Sequence, residues 1–219
     1  MRLILALLLI LPHTALSGPW GREPGEVFLS LGTNFALTDD TRRPVYYDPT
    51  LYAEWGLRPG TTLGLSAYSA DGGEEVSGYA FWQQQITAPD ARIAAAFSLG
   101  LGYRERELRG EERFLRAGLS AGMGTDWGWL VLDTALIRGE STGRIESKVD
   151  GTVGYNLSET FSLMGQLQTG IGTEGTAYTK FAPSLLYRLN DSLRLELGGI
   201  QSLTGDYGRG LRASLWYEF

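Results

Sequence analysis

Gly118-Leu119-Ser120-Ala121-Gly122 has the spacing of a nucleophile elbow, in which a serine is held up on a tight turn between a strand and a helix. That chemistry needs an imidazole to take the serine proton. The 219-residue chain has a single histidine, His13, and no cysteine. The absence of cysteine excludes disulfides, thiolate metal sites and a cysteine nucleophile. Asp39, Asp40 and Asp48 could offer oxygen ligands to a hard cation, but their spacing matches no known calcium loop, and a solvated acidic loop is the simpler reading. Tyr46-Tyr47 could stack on a sugar or pack on the base of its own loop. Asn156-Leu157-Ser158 and Asn190-Asp191-Ser192 have the form of glycosylation sites but read as turn chemistry.

His13 falls in a segment with a different purpose. Met1-Arg2 precedes an apolar run, Leu3 to Leu11, which is too short to span a bilayer as a helix. A basic start, a short apolar core and small residues at Ala15 and Ser17 describe a secretory signal peptide, with cleavage expected before Gly18. Residues 1–17 are therefore expected to be the leader and 18–219 a single domain. The mature chain then contains no imidazole, which removes triads, histidine proton shuttles and histidine–metal sites; no enzyme activity and no cofactor are expected.

The chain carries 25 acidic and 19 basic residues, a formal charge of −6, which argues against nucleic acid as a partner. At 43% hydrophobic and 11% aromatic it is too apolar for a disordered chain. No stretch has 18 consecutive apolar residues.

What would position these residues is a set of strands. The last nine residues put Leu211, Ala213, Leu215, Tyr217 and Phe219 on one face, and Arg212, Ser214, Trp216 and Glu218 on the other. The same period of two runs through 92–104, 161–168, 180–189 and 193–198. Tight-turn signals near 59, 89, 126, 157 and 190 lie 30 to 37 residues apart. They alternate with more variable loops near 37–48, 70–74, 105–111, 138–143, 172–175 and 203–207. Six units of two strands follow, about twelve strands in all.

The two faces differ in kind. One is apolar, with aromatics near the strand ends: Trp55, Tyr155, Phe161, Tyr187, Tyr217 and Phe219 beside the short turns, and Tyr103, Phe35 and Tyr207 at the other side. The other face is rich in Gly, Ser, Ala and Gln with single charges. This is the pattern of an apolar band between two aromatic girdles around a crowded interior. In the fourth strand, Glu75–Ile86, the outward set could be Val76, Gly78, Ala80, Trp82 and Ile86, or it could include Tyr79 and Phe81. In the seventh, Leu130, Leu132, Thr134 and Leu136 are turned outward, because the reverse would place Asp133 in lipid.

The final strand resembles the terminal signature of bacterial outer-membrane β-barrels. That resemblance implies an all-β, transmembrane, antiparallel up-and-down barrel in the bacterial outer membrane. It also implies lipids as its surroundings, and an insertion machinery that reads Leu215, Tyr217 and Phe219 during assembly. The inward charged set is then Glu26, Glu54, Arg92, Arg104, Arg116, Asp133, Glu146, Lys148, Asp150, Lys180, Arg188, Arg194, Glu196, Arg212 and Glu218, eight basic and seven acidic. Glu54, Asp133, Asp150 and Glu196 are expected low in the lumen, and Arg116, Lys148, Lys180 and Arg212 higher. Arg116, Asp133, Lys148 and Asp150 lie on neighbouring strands and can cross-pair, either to fix register or to form a selective constriction. Twelve strands spaced ~4.8 Å and tilted ~40° give a backbone diameter of roughly 24 Å. Side chains narrow this to about 12 Å. A small passive channel for small polar solutes is expected, with a non-conducting accessory barrel for envelope or surface-polysaccharide assembly as the alternative.

Overall fold

The structure, a computed structural model, describes residues 18–37, 46–172, 175–205 and 208–219, with the side chains of Tyr46 and Asp71 not described. The expected leader 1–17, the Asp39-Asp40 pair and Tyr207 lie outside the described residues. Twelve strands follow one another: β1 Val27–Leu37, β2 Tyr46–Arg58, β3 Thr61–Ala70, β4 Glu75–Gln85, β5 Ala94–Arg106, β6 Gly110–Thr125, β7 Gly128–Gly139, β8 Ile145–Asn156, β9 Phe161–Ile171, β10 Ala177–Arg188, β11 Leu193–Thr204 and β12 Arg209–Glu218. Each pairs antiparallel with its sequence neighbour, and β1 pairs with β12, so the sheet closes into a barrel with no free edge. The closure ends in a reciprocal pair: Val27 N–H donates to the Phe219 carbonyl at 2.8 Å, and Phe219 N–H to the Val27 carbonyl at 3.0 Å. Asp48 lies in β2 rather than in a loop, where its Oδ1 accepts the Gly72 N–H at 2.9 Å.

Alternation decides which face is outside. In β5, Leu99 and Leu101 are 53% and 68% exposed, while the intervening Ser98 and Gly100 are turned inward and Ala96 is fully buried. The apolar face is thus the outer one, the inverse of a water-soluble barrel. Around the short-turn rim, ring pairs form a girdle: Trp127 with Tyr155 (6.1 Å), Phe161 with Tyr187 (5.0 Å) and Tyr217 with Phe219 (4.8 Å). Phe35 and Tyr47 form one such pair, at 5.8 Å, on the opposite side.

The ambiguous β4 turns Val76 and Trp82 outward, and buries Phe81 while Tyr79 faces the lumen. The choice is set across the strands. Phe81 lies directly opposite Gly64 of β3, and a Cβ on Gly64 would stand 2.1 Å from the Phe81 ring. The ring fills a space that only glycine leaves. In β7, Leu132 and Leu136 are exposed outward and Asp133 lines the lumen. Arg92 departs from the expected inward set: β5 begins at Ala94, and Arg92 is exposed in the connection before it. The alternating pattern of 92–104 becomes a strand only from Ala94, because Arg92 and Ile93 still belong to the connection after the turn.

Candidate functional site

The candidate site is the lumen, which is built in three tiers. At the short-turn end the inward positions are not polar. Trp129, Val131 and Leu186 form a buried apolar cluster, with Trp20, Met164 and Trp216 packed against it. Phe28, 2% exposed, meets Trp216 and Tyr52 edge-on, with centroids at 6.0 and 6.2 Å. Sequence reasoning had emphasised the small polar residues of this face. Phe28, Trp129, Val131, Leu186 and Trp216 each sit one residue out of phase with the apolar outer stripe, and that phase was the available signal.

Trp20 comes from outside the strands. Residues 18–26 turn into the barrel end ahead of β1. Gln83 Nε2 donates to the Gly18 carbonyl at 2.9 Å, and Arg22 N–H donates to Thr62 Oγ1 at 3.1 Å. Gly25 N–H donates to the Gly56 carbonyl (2.8 Å), and Gly56 N–H to the Glu26 carbonyl (2.9 Å). The Arg22 guanidinium is 5% exposed; it contacts Glu54 and Glu218 at 2.7 Å each and Glu26 at 3.3 Å, and lies 4.6 Å from the Phe28 ring centroid. Burial alone disfavours its charge, but Glu54, Glu218 and Glu26 outweigh that and raise its pKa above the ordinary guanidinium value. Glu54 also accepts the Tyr52 hydroxyl at 2.6 Å. It is thus engaged at the barrel end.

The middle tier is polar. One cavity of about 310 Å³ is bounded by the aromatic floor and by Asn34, Thr50, Asp133, Gln166, Glu196 and Arg212. A second, of about 380 Å³, is lined by Arg116, Asp133, Lys148, Asp150, Gln168 and Tyr79. They share Tyr52, Asp133, Gln166 and Arg212, so they are two lobes of one space. Arg116, Asp133, Lys148 and Asp150 therefore border a single lobe. Lys148 Nζ reaches Asp150 Oδ2 at 2.8 Å, and Asp133 stands opposite Asp150 in the β7–β8 register. Arg116 instead lies 5.0 Å from the Tyr79 ring centroid and donates to Ser98 Oγ at 3.3 Å. Glu196 accepts from Ser184 (2.8 Å) and Ser214 (2.6 Å) and faces Arg212 Nη1 at 3.8 Å; Arg212 also donates to Asn34 at 3.2 Å. Lys180 Nζ lies over the Tyr178 ring, 5.8 Å from its centroid. Ser120 lies within the continuous strand β6, not on a strand–helix turn, and borders the upper lobe.

The third tier closes part of the mouth. Arg104, 3% exposed, pairs with Glu112 at 2.6 Å and with Glu146 at 2.5 Å, and lies over the Phe114 ring. Thr142 donates to Glu112 at 2.6 Å. Arg106 pairs with Glu75, which also accepts the Tyr68 hydroxyl at 2.7 Å. Glu75, Arg106 and Glu112 were absent from the expected inward set, because they stand where strands run into loops. Among the described residues no cluster of three or more acidic, histidine or cysteine side chains could hold a metal ion.

No protein-family model matches the chain, and no curated protein matches it. Solved structures do match in fold. The KdgM porin aligns with a TM-score of 0.66 at 12% identity, covering 87% of this chain and 99% of that one. A second structure of it, in complex with disordered oligogalacturonate, aligns at 0.67 with 12% identity and the same coverage. The Acinetobacter baumannii outer membrane protein Omp33 aligns at 0.57 with 7% identity, covering 89% of this chain and 98% of that one. The protein has the architecture of bacterial outer-membrane β-barrels.

Proposed function

We propose that the protein is an outer-membrane channel for small polar solutes. The observation that carries this reading is the two-lobed polar space in the barrel middle, lined by both signs of charge and by amide and hydroxyl groups. Such a lining exchanges hydrogen bonds with a passing solute without holding it tightly. The similarity to a porin structure containing oligogalacturonate supports the reading, since a barrel of this fold can hold a polar oligomer. The reading involves no enzymatic step and no cofactor. It includes export by the leader, with cleavage before Gly18, and recognition of Leu215, Tyr217 and Phe219 by the insertion machinery. Burial of Gly18 inside the barrel end supports that cleavage position. N-terminal sequencing of membrane-extracted protein should start at Gly18; an intact Met1 would overturn this part.

The apolar floor favours the second reading, a non-conducting accessory barrel. Purified protein in a planar bilayer separates the two. Stepwise currents in potassium chloride are expected for the channel. Silence of correctly folded protein, in wild type and in variants of the floor, would leave the accessory barrel.

A further inference from the structure

The end segment is built into the barrel more closely than a connecting tail needs to be. Two glycines on separate strands, Gly56 of β2 and Gly122 of β6, leave the room it occupies, and Gly21 within the segment lets it approach Gly60. A Cβ on Gly56 would stand 1.9 Å from the Glu23 carbonyl oxygen, and a Cβ on Gly122 would stand 2.6 Å from Trp20 Cη2 and 2.8 Å from Pro19 Cγ. A Cβ on Gly21 would meet the Gly60 backbone at 3.0 Å. Trp20 completes the apolar floor, and Gly18 reaches the edge of the upper polar lobe. The floor would lose a wall residue if the segment left.

We propose that residues 18–26 are a gate at the short-turn end of the lumen, with Trp20 as its stopper and Arg22 as its latch. This rests on the channel reading above. Two features suit a part that moves. Residues 18–22 are tied by a few hydrogen bonds and one guanidinium rather than by a strand ladder, so they can leave without opening the barrel, with the Gly25 and Glu26 backbone bonds to Gly56 as the pivot. Its latch is ionic: Glu54 projects from β2 and Glu218 from β12, and Arg22 bridges them. When the segment withdraws, all of these charges can be solvated from the open end, which limits the cost of opening.

The cysteine-free chain allows a direct test. A Cβ at Gly122 lies 2.8 Å from Pro19 Cγ, which brings the Pro19 Cβ within disulfide reach. Full-length Pro19→Cys/Gly122→Cys protein, extracted from membranes and shown folded by its heat-dependent gel mobility, is recorded in potassium chloride before and after reduction. Oxidation is expected to silence the current and reduction to restore it. Arg22→Ala should raise the open fraction about tenfold or more, as expected when hydrogen bonds to a charged group are lost. Current that is the same oxidised and reduced would overturn the gate while leaving the channel standing. Because a Cβ at Gly122 also crowds Trp20, Gly122→Ala is recorded beside the double variant as the baseline, and failure of the crosslink to form in a double variant that folds like Gly122→Ala would place the segment elsewhere and overturn the gate too. If wild type, Arg22→Ala and the reduced double variant are all folded and all silent, the channel reading itself fails, and the gate with it.

Discussion

Arg104 and Arg22 are both buried guanidiniums, yet they differ in what remains when each is removed. Arg104 lies between Glu112 and Glu146 on strands that cannot separate, so its loss leaves two carboxylates facing each other in a closed place. Arg104→Ala should cost about 3 kcal/mol, as expected for breaking a buried pair, and lower the urea midpoint accordingly. An unchanged midpoint would mean that water reaches the mouth cluster freely. Asp133 is the opposite case. It lines both polar lobes and stands beside the like-charged Asp150. Asp133→Asn should therefore change stability by less than about 1 kcal/mol, since water in the lobes solvates what is left behind. It should instead shift the reversal potential under a salt gradient toward anion selectivity, because a negative group leaves the wall. A large stability loss without a selectivity change would show the site to be dry and structural. The residue types were legible in the sequence, because an acid within an apolar strand must face inward in lipid. The partners were not: Arg116 lay on the expected strand but went to Tyr79 and Ser98, a choice made by rotamers that spacing does not encode.

Three inward aromatics each cover a glycine on the strand beside them: Phe81 over Gly64, Phe114 over Gly102 and Trp129 over Gly154. The device fixes register and fills the narrow interior at once. Added Cβ atoms there would stand 2.1, 2.2 and 2.0 Å from the rings, so even alanine must displace one. Gly154→Ala should lower stability by about 1–3 kcal/mol, the cost of overpacking, and change tryptophan fluorescence as Trp129 leaves the floor. A midpoint within error of wild type would show that the floor is loosely packed. This pairing also explains what the sequence left open in β4, where both faces carry aromatics. The deciding glycine, Gly64, lies on β3, and matching it requires a register that local alternation does not supply. The last strand was readable alone, since its outward Leu215, Tyr217 and Phe219 keep phase to the end. Deleting Phe219 should reduce membrane insertion far more than deleting one loop residue. The lost burial is only ~1.5–3 kcal/mol, so the effect belongs mainly to recognition during assembly. Normal insertion of the truncated chain would refute that role.

At the scale of the whole molecule, the barrel's architecture was legible because membrane and lumen impose opposite demands on successive residues, and twelve strands repeat that contrast. The floor and the end segment were not, because an apolar residue facing inward breaks the pattern, and nine residues without periodicity carry no pattern to break. The inside-out arrangement makes a prediction that a water-soluble barrel would fail. Leu99, near the middle of β5, faces outward and is 53% exposed. Ser120 of β6 faces inward and pairs in register with Asp133. The same arginine placed at each site meets opposite surroundings. Leu99→Arg puts a charge into the hydrocarbon band and should cost about 2–4 kcal/mol when unfolding is measured in lipid vesicles. Ser120→Arg puts it opposite a carboxylate in a hydrated space and should cost far less, while shifting selectivity toward anions. In a soluble barrel an exposed leucine would accept arginine at almost no cost, and the crowded interior would reject it. The order of the two midpoints therefore reads which face meets lipid, independently of whether the lumen conducts.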